Sequence, residues 1–102
     1  ETKQLGIMQI DVSIIIVNYN THNHLRKCLE SIEKYTTSVS YEIIVVDNAS
    51  KANKELDFKS VIPNLVFIRS ETNLGFAGGN NLGINLAKGD FIFFIWALQS
   101  ID

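Results

Sequence analysis

The chain contains short apolar runs rich in β-branched residues, separated by segments in which apolar residues recur at helical spacing. Val12–Asn18 (VSIIIVN) and residues 42–47 (EIIVVD) are almost continuously apolar and end in polar residues, and residues 65–69 (LVFIR) and 91–96 have the same character. Runs of this kind are typical of strands buried on both faces of a parallel sheet. The sequence therefore predicts four strands.

The segments between these runs predict helices. Thr21 is a candidate N-cap, and the residues after it fall at helical spacing, namely Leu25, Cys28, Leu29, Ile32 and Tyr35. Residues 54–61 supply a short second helix before Pro63 interrupts. A polar, glycine-rich stretch over residues 70–81 precedes a third helical pattern that uses Leu82, Leu86 and Ala87, and Gly89 is expected to end it. Strands alternating with helices predict an α/β fold, a parallel sheet of about four strands with helices on both faces.

Composition narrows the function. The 102 residues carry a net charge of −2 and no basic run, which argues against a nucleic-acid partner. Cys28 is the single cysteine, so an internal disulfide is excluded and a reducing, cytoplasmic compartment is expected. The longest apolar run, residues 91–98, is too short to span a membrane as a helix and is expected to be a buried strand, with Trp96 in the core. Residues 1–11 are assigned to an N-terminal lead-in and residues 12–102 to one partial domain.

Three polar clusters follow the first three predicted strands, where ligands bind in open α/β sheets. They cover residues 18–21, 47–50 and 73–81. Asp47 suits a hydrogen bond from a base or a ribose, or equally a turn. Residues 75–79 open a helix whose amides favour an anion such as a diphosphate, with a simple turn as the alternative. Tyr19 suits stacking on a base or packing against the neighbouring helix.

Together these clusters resemble the N-terminal half of the family 2 glycosyltransferases. The resemblance is carried by VSIIIVNYNT, LRKCLESI, YEIIVVDNAS, NLGFAGGNNLGI and KGDFIFF, in that order. The NLGFAGGNN form is most similar to bacterial members that transfer rhamnose or related sugars. The resemblance implies a truncated, three-layer, Rossmann-like (GT-A) domain that binds a nucleoside-diphosphate sugar, UDP- or dTDP-linked, for inverting transfer to an acceptor hydroxyl in polysaccharide or cell-surface glycan synthesis.

The resemblance also implies the roles of individual residues. Asp47 would face the pyrimidine, and the nucleoside would be held with the help of Val17, Asn18, Tyr19, Asn20, Asn48 and Ser50. The wall over the ribose and diphosphate would be formed by Gly75, Phe76, Gly78, Gly79 and Asn80. A divalent metal, Mn or Mg, would offset the charge of the leaving diphosphate, and a carboxylate base would deprotonate the acceptor.

Two departures from the family pattern stand out. Ala52 replaces an aspartate that usually follows the DNAS motif, and Leu98 occupies the approximate position of the metal-binding aspartate. The acceptor site and the catalytic base lie C-terminally in the family and are expected to be missing here. No residue is therefore assigned as catalytic or as a metal ligand. The chain alone is expected to be inactive.

Two alternatives remain open. One is a non-catalytic, nucleotide-binding or regulatory module derived from the same fold. The other is a dimerisation unit that forms a homo-oligomer through an apolar edge near residues 91–98. Location at the cytoplasmic face of a membrane in a longer protein is a further expectation, without membrane insertion by this segment.

Overall fold

The computed structural model describes residues 9–97 and contains four strands and three helices within that range. In chain order they are β1 (Val12–Asn18), α1 (His22–Tyr35), β2 (Tyr41–Asn48), α2 (Glu55–Val61), β3 (Val66–Ser70), α3 (Gly75–Ile84) and β4 (Phe91–Ala97). The predicted strands are confirmed to within about one residue at each end, because an apolar, β-branched run flanked by turn residues has few other ways to bury its side chains.

All four strands are parallel, in the order β3-β2-β1-β4. Ile16 in the central strand β1 lies beside Val45 of β2 and Ile95 of β4. The chain builds outward from β1 to β3 and then crosses back to place β4 on the other side of β1. In sheets of this kind, such a change of direction marks the usual place for a ligand, here the carboxyl ends of β1 and β4.

Helices cover both faces of the sheet. Successive side chains of a strand point to opposite faces, so Ile14 and Ile16 pack with Leu25 and Leu29 of α1, whereas Ile15 lies in a second cluster under α3. Phe58 of α2 joins the first cluster. The predicted three-layer, Rossmann-like α/β architecture is confirmed.

Helix α3 differs from the prediction at both ends. It begins at Gly75, within residues 75–79 that were expected to open it but well before the helical pattern at Leu82, and it ends at Ile84, before Gly89, which was expected to end it. The start is set by tertiary contacts, because Asn48 holds Leu74 and Gly75 through hydrogen bonds. Within the helix, a β-carbon on Gly83 would lie 2.6 Å from Cγ2 of Ile15. Glycine is a poor helix former, but here it lets the helix approach the sheet closely. Gly89 meets a different constraint, since a β-carbon there would lie 2.6 Å from the backbone nitrogen of Ser13.

Strand β4 was expected to be buried, and this was wrong. It is an edge strand, with Phe91 72% exposed, Phe93 63% and Phe94 46%. Trp96, expected in the core, is 53% exposed. The sequence of β4 resembles that of β1, but β4 lies at the edge and much of its apolar surface stays open. Leu98 lies outside the described residues. No helix within residues 9–97 is long and apolar enough to cross a membrane.

Candidate functional site

Asp47, at the carboxyl end of β2, is the centre of a hydrogen-bond network. Its carboxylate is 1% exposed and accepts four hydrogen bonds within the described residues. Oδ1 accepts from Asn18 Nδ2 at 2.8 Å and from Ser50 Oγ at 2.6 Å. Oδ2 accepts from the Ser50 amide at 3.1 Å and from Arg69 Nη1 at 2.7 Å. One carboxylate therefore joins the ends of β1, β2 and β3.

The loops that follow β1 and β2 hold each other in place around this carboxylate. The Asn20 amide donates to Ser50 Oγ at 2.8 Å, and the Lys51 amide donates to Asn20 Oδ1 at 2.9 Å. Asn20 and Ala49 both have positive φ, 54° and 65°. Asparagine tolerates this left-handed conformation, whereas alanine at φ 65° is uncommon and strained. The loop after β2 therefore contains a strained residue, Ala49, between Asn48 and Ser50, which are both held by hydrogen bonds.

Arg69 belongs to this network and was not among the predicted site residues. Its Nη1 reaches Asp47, and its Nη2 donates to the carbonyl oxygen of Ser50 at 2.6 Å. Its position in the sequence could have indicated this role, because Arg69 lies near the end of an apolar strand. Such a residue lies at the same edge of a parallel sheet as the polar residues that end the neighbouring strands. Asp47 also stands directly across from Arg69 in the β2–β3 register.

Thr21 and Asn48 connect the strand ends to the helices. The Thr21 hydroxyl donates to Asn18 Oδ1, and Thr21 stands at the N-cap position of α1. Asn48 Nδ2 donates to the carbonyl oxygen of Gly75 at 2.9 Å, and Asn48 Oδ1 accepts from the Leu74 amide at 3.2 Å. Because Gly75 has φ 77°, only glycine takes this turn without strain. Asn48 thereby fixes the start of α3 against the end of β2.

Aromatic side chains lie near the carboxyl ends of β1 and β4. Tyr19, directly after β1, is 46% exposed, so part of its surface is open to solvent. Phe76 in the first turn of α3 contacts Trp96 near the end of β4, with ring centroids 4.7 Å apart. Trp96 was assigned to the core from the sequence, and the structure places it at this rim instead.

The remaining predicted residues are buried or in close packing around α3, namely Val17, Gly78, Gly79 and Asn80. A β-carbon on Gly79 would lie 2.9 Å from Val17 Cγ1, so both residues are occupied with helix–sheet packing. On Gly78 it would lie 2.8 Å from Cβ of Leu74. Asn80, four residues after Phe76 and thus on the same side of α3, is 8% exposed, and its Oδ1 accepts no hydrogen bond from the described residues.

No group of three or more histidine, cysteine, aspartate or glutamate side chains lies close enough together within residues 9–97 to hold a metal ion. The acceptor positions of Asp47 are already used by the four donors named above. Cys28 lies on α1 and packs against the core. Burial there raises the pKa of its thiol, as expected for a packing residue.

Comparison with known proteins places this arrangement in a family. The family described as "Glycosyl transferase family 2" matches residues 13–95, which is most of the chain. An uncharacterized glycosyltransferase of Haemophilus influenzae is 37% identical over 84 residues, covering 82% of this chain and 28% of that protein. The poly(ribitol-phosphate) beta-glucosyltransferase of Bacillus spizizenii is 36% identical over 90 residues, covering 82% of this chain and 14% of that protein.

A solved structure agrees with the sequence relatives. The crystal structure of TarS from S. aureus matches with a TM-score of 0.73 and 27% identity, covering 86% of this chain and 16% of that one. The chain thus spans less than a third of each relative named here, and the matched part is the four-stranded unit that carries the polar rim.

Proposed function

This chain belongs to glycosyl transferase family 2, and on that premise we propose that it binds the nucleoside-diphosphate part of a sugar donor at the carboxyl edge of its sheet. The observation that carries the proposal is the meeting of three features at one edge. These are the Asp47 network, the exposed ring of Tyr19 and the first turn of α3.

The nucleoside would lie over the ends of β1 and β2. Tyr19 offers an exposed ring for stacking on the base, and Asp47 is the carboxylate for an N–H of a pyrimidine. The two loops are then shaped by hydrogen bonds from Asn18, Asn20, Asn48 and Ser50. The side chain of Val17 packs against α3 at Gly79. Most of the predicted nucleoside residues thus build the site rather than touch the ligand.

The diphosphate would lie at the start of α3. The first amides of a helix have no partners within the helix and favour an anion. The Gly75 amide is already used by Asn73 Oδ1 at 2.9 Å, which leaves those of Phe76 and Ala77 in the first turn. Gly78 and Gly79 provide close packing, and the buried Oδ1 of Asn80 is an acceptor suited to a hydroxyl group of the ligand.

The proposed reaction is inverting transfer of the sugar to an acceptor hydroxyl, carried out by a longer protein that contains a unit of this kind. A cell-surface polymer is the acceptor class that the poly(ribitol-phosphate) relative suggests. The family commonly uses a divalent metal, which would offset the charge of the leaving diphosphate, and we assign no residue of this chain as its ligand. Such a protein would act in the cytoplasm or at the cytoplasmic face of a membrane. The exposed residues of β4 favour self-association as a second candidate function.

Isothermal titration with UDP and dTDP, with and without manganese, tests the proposal. We expect binding that Tyr19→Ala weakens about tenfold, because stacking on an aromatic ring contributes roughly 1–3 kcal/mol per base. Tyr35→Ala is the matched control, since Tyr35 is 71% exposed at the far end of α1. Absence of heat with both nucleotides, or equal effects of the two substitutions, would count against a nucleotide site here.

A further inference from the structure

Asp47 is closed to ligands in this structure. A carboxylate offers about four acceptor positions, and all four are taken within the described residues. If Asp47 is to accept an N–H from a base, as the proposed function requires, one of its present donors must leave.

The four donors are not equally free to leave. Asn18 is 0% exposed and Ser50 is 1% exposed, and the Ser50 contacts include a backbone amide. The Arg69 side chain is 33% exposed. Arginine is also long and well solvated by water through its head group, so it can turn outward while its stem stays packed. Arg69 is therefore the donor that can be displaced at least cost.

We propose that Arg69 is a specificity-determining residue that competes with the nucleobase for Oδ2 of Asp47 and turns away when a base binds. This inference rests on the proposed function, because it concerns the same site. A base with an N–H between two carbonyl groups, such as uracil or thymine, returns a donor to Oδ2 when Arg69 leaves. A base that presents a ring-nitrogen acceptor at that position returns no donor to Oδ2. Asp47 and Arg69 together therefore favour bases with an imide N–H.

The guanidinium holds a second contact that the displacement must break. Its Nη2 donates to the Ser50 carbonyl oxygen at 2.6 Å, while Nη1 lies 3.5 Å from the carbonyl oxygen of Ala52. Arg69 thus spans the loop after β2 as well as its carboxylate. Removing the arginine frees Oδ2, and it also removes the contacts of the guanidinium with these two carbonyl oxygens.

Titration of UDP into matched variants tests the competition. We expect Arg69→Met to bind UDP about tenfold more tightly than the original chain, a change of about 1.4 kcal/mol. Arg26→Met is the control, because Arg26 makes an exposed pair with Glu30 on α1 and should leave the affinity unchanged. Equal or weaker binding by Arg69→Met, with Arg26→Met unchanged, overturns the inference.

A spectroscopic readout covers the case in which Arg69→Met does not fold. The chain contains two arginines, Arg26 and Arg69, so the side-chain Nε–H region of a nitrogen-15 spectrum is simple. Saturation with UDP should shift the Arg69 signal and leave the Arg26 signal in place, and an unmoved Arg69 signal overturns the inference. If neither UDP nor dTDP binds any variant, the proposed function itself fails, whereas binding without the Arg69 effect refutes only the competition.

Discussion

Replacing Asp47 by asparagine should destabilise the whole sheet edge. Each of the two carboxylate oxygens accepts two hydrogen bonds, at distances of 2.6–3.1 Å. An asparagine keeps one oxygen, and its amide nitrogen cannot accept. Two donors would face that nitrogen, either from Arg69 and the Ser50 amide or from Asn18 and the Ser50 hydroxyl.

The magnitude follows from burial. Removing one partner of a buried ion pair costs about 3–5 kcal/mol, and each hydrogen bond to a charged group contributes about 1.5–3 kcal/mol. The Arg69 side chain is 33% exposed and can turn to water, which lowers the cost. We therefore expect Asp47→Asn to reduce the free energy of unfolding by about 3 kcal/mol, a large part of the roughly 5–15 kcal/mol typical of a domain.

Urea denaturation followed by far-ultraviolet circular dichroism measures this loss. Asp57→Asn is the matched control, because Asp57 on α2 has a 60% exposed side chain and lies 3.9 Å from Lys54 Nζ. Removing such a pair should change the free energy of unfolding by less than about 0.5 kcal/mol. Failure of Asp47→Asn to fold, with Asp57→Asn folding normally, is the extreme of the expected result.

A small effect would refute the reasoning. If Asp47→Asn lowers the free energy of unfolding by less than about 1 kcal/mol with an unchanged denaturant slope, the loops after β1, β2 and β3 hold together without the carboxylate. Asp47 would then be reserved for a ligand, and the network around it would be a consequence of the fold rather than a support for it.

Two further substitutions test the packing of α3 and the surface of β4. Gly83→Ala should lower the free energy of unfolding by about 1 kcal/mol, because overpacking against Ile15 costs about 1–3 kcal/mol and better helix propensity returns about 1 kcal/mol; a stabilised variant in urea denaturation would show that the helix can move. Phe93→Lys should reduce self-association in sedimentation velocity, because a charge on an exposed edge strand opposes pairing, whereas Leu56→Lys, at an 83% exposed site, should not. A chain that is monomeric at every concentration would contradict the second expectation.

The strands were predictable because their signal is local. β1 was predicted at its observed bounds and the other strands to within about one residue. The start of α3 was predicted only in part, as residues 75–79 opening a helix, because Gly75, Gly78 and Gly79 lower helix propensity and the helical pattern itself began at Leu82. Gly79 is needed because Val17 lies directly beneath it, and Gly75 because its φ is positive, and no local pattern contains that information.

The candidate site shows the same division. The clusters at residues 18–21, 47–50 and 73–81 could be assigned to one edge because the carboxyl ends of parallel strands point the same way. Which side chain touches which could not be assigned, since Asn18 and Asp47 are 29 residues apart in the chain. Arg69 was missed for this reason, as its role depends on a contact across the β2–β3 register.

By itself, the sequence determined the α/β class, the parallel strands, the edge that carries the polar residues and the family to which the chain belongs. These follow from periodicity and motif order, which are properties of neighbouring residues. Only the tertiary structure decided that Trp96 lies at an open rim, that glycines seat α3 on the sheet, and that Arg69 closes Asp47. Burial, steric fit and ion pairing between distant segments exist only once the strands stand side by side.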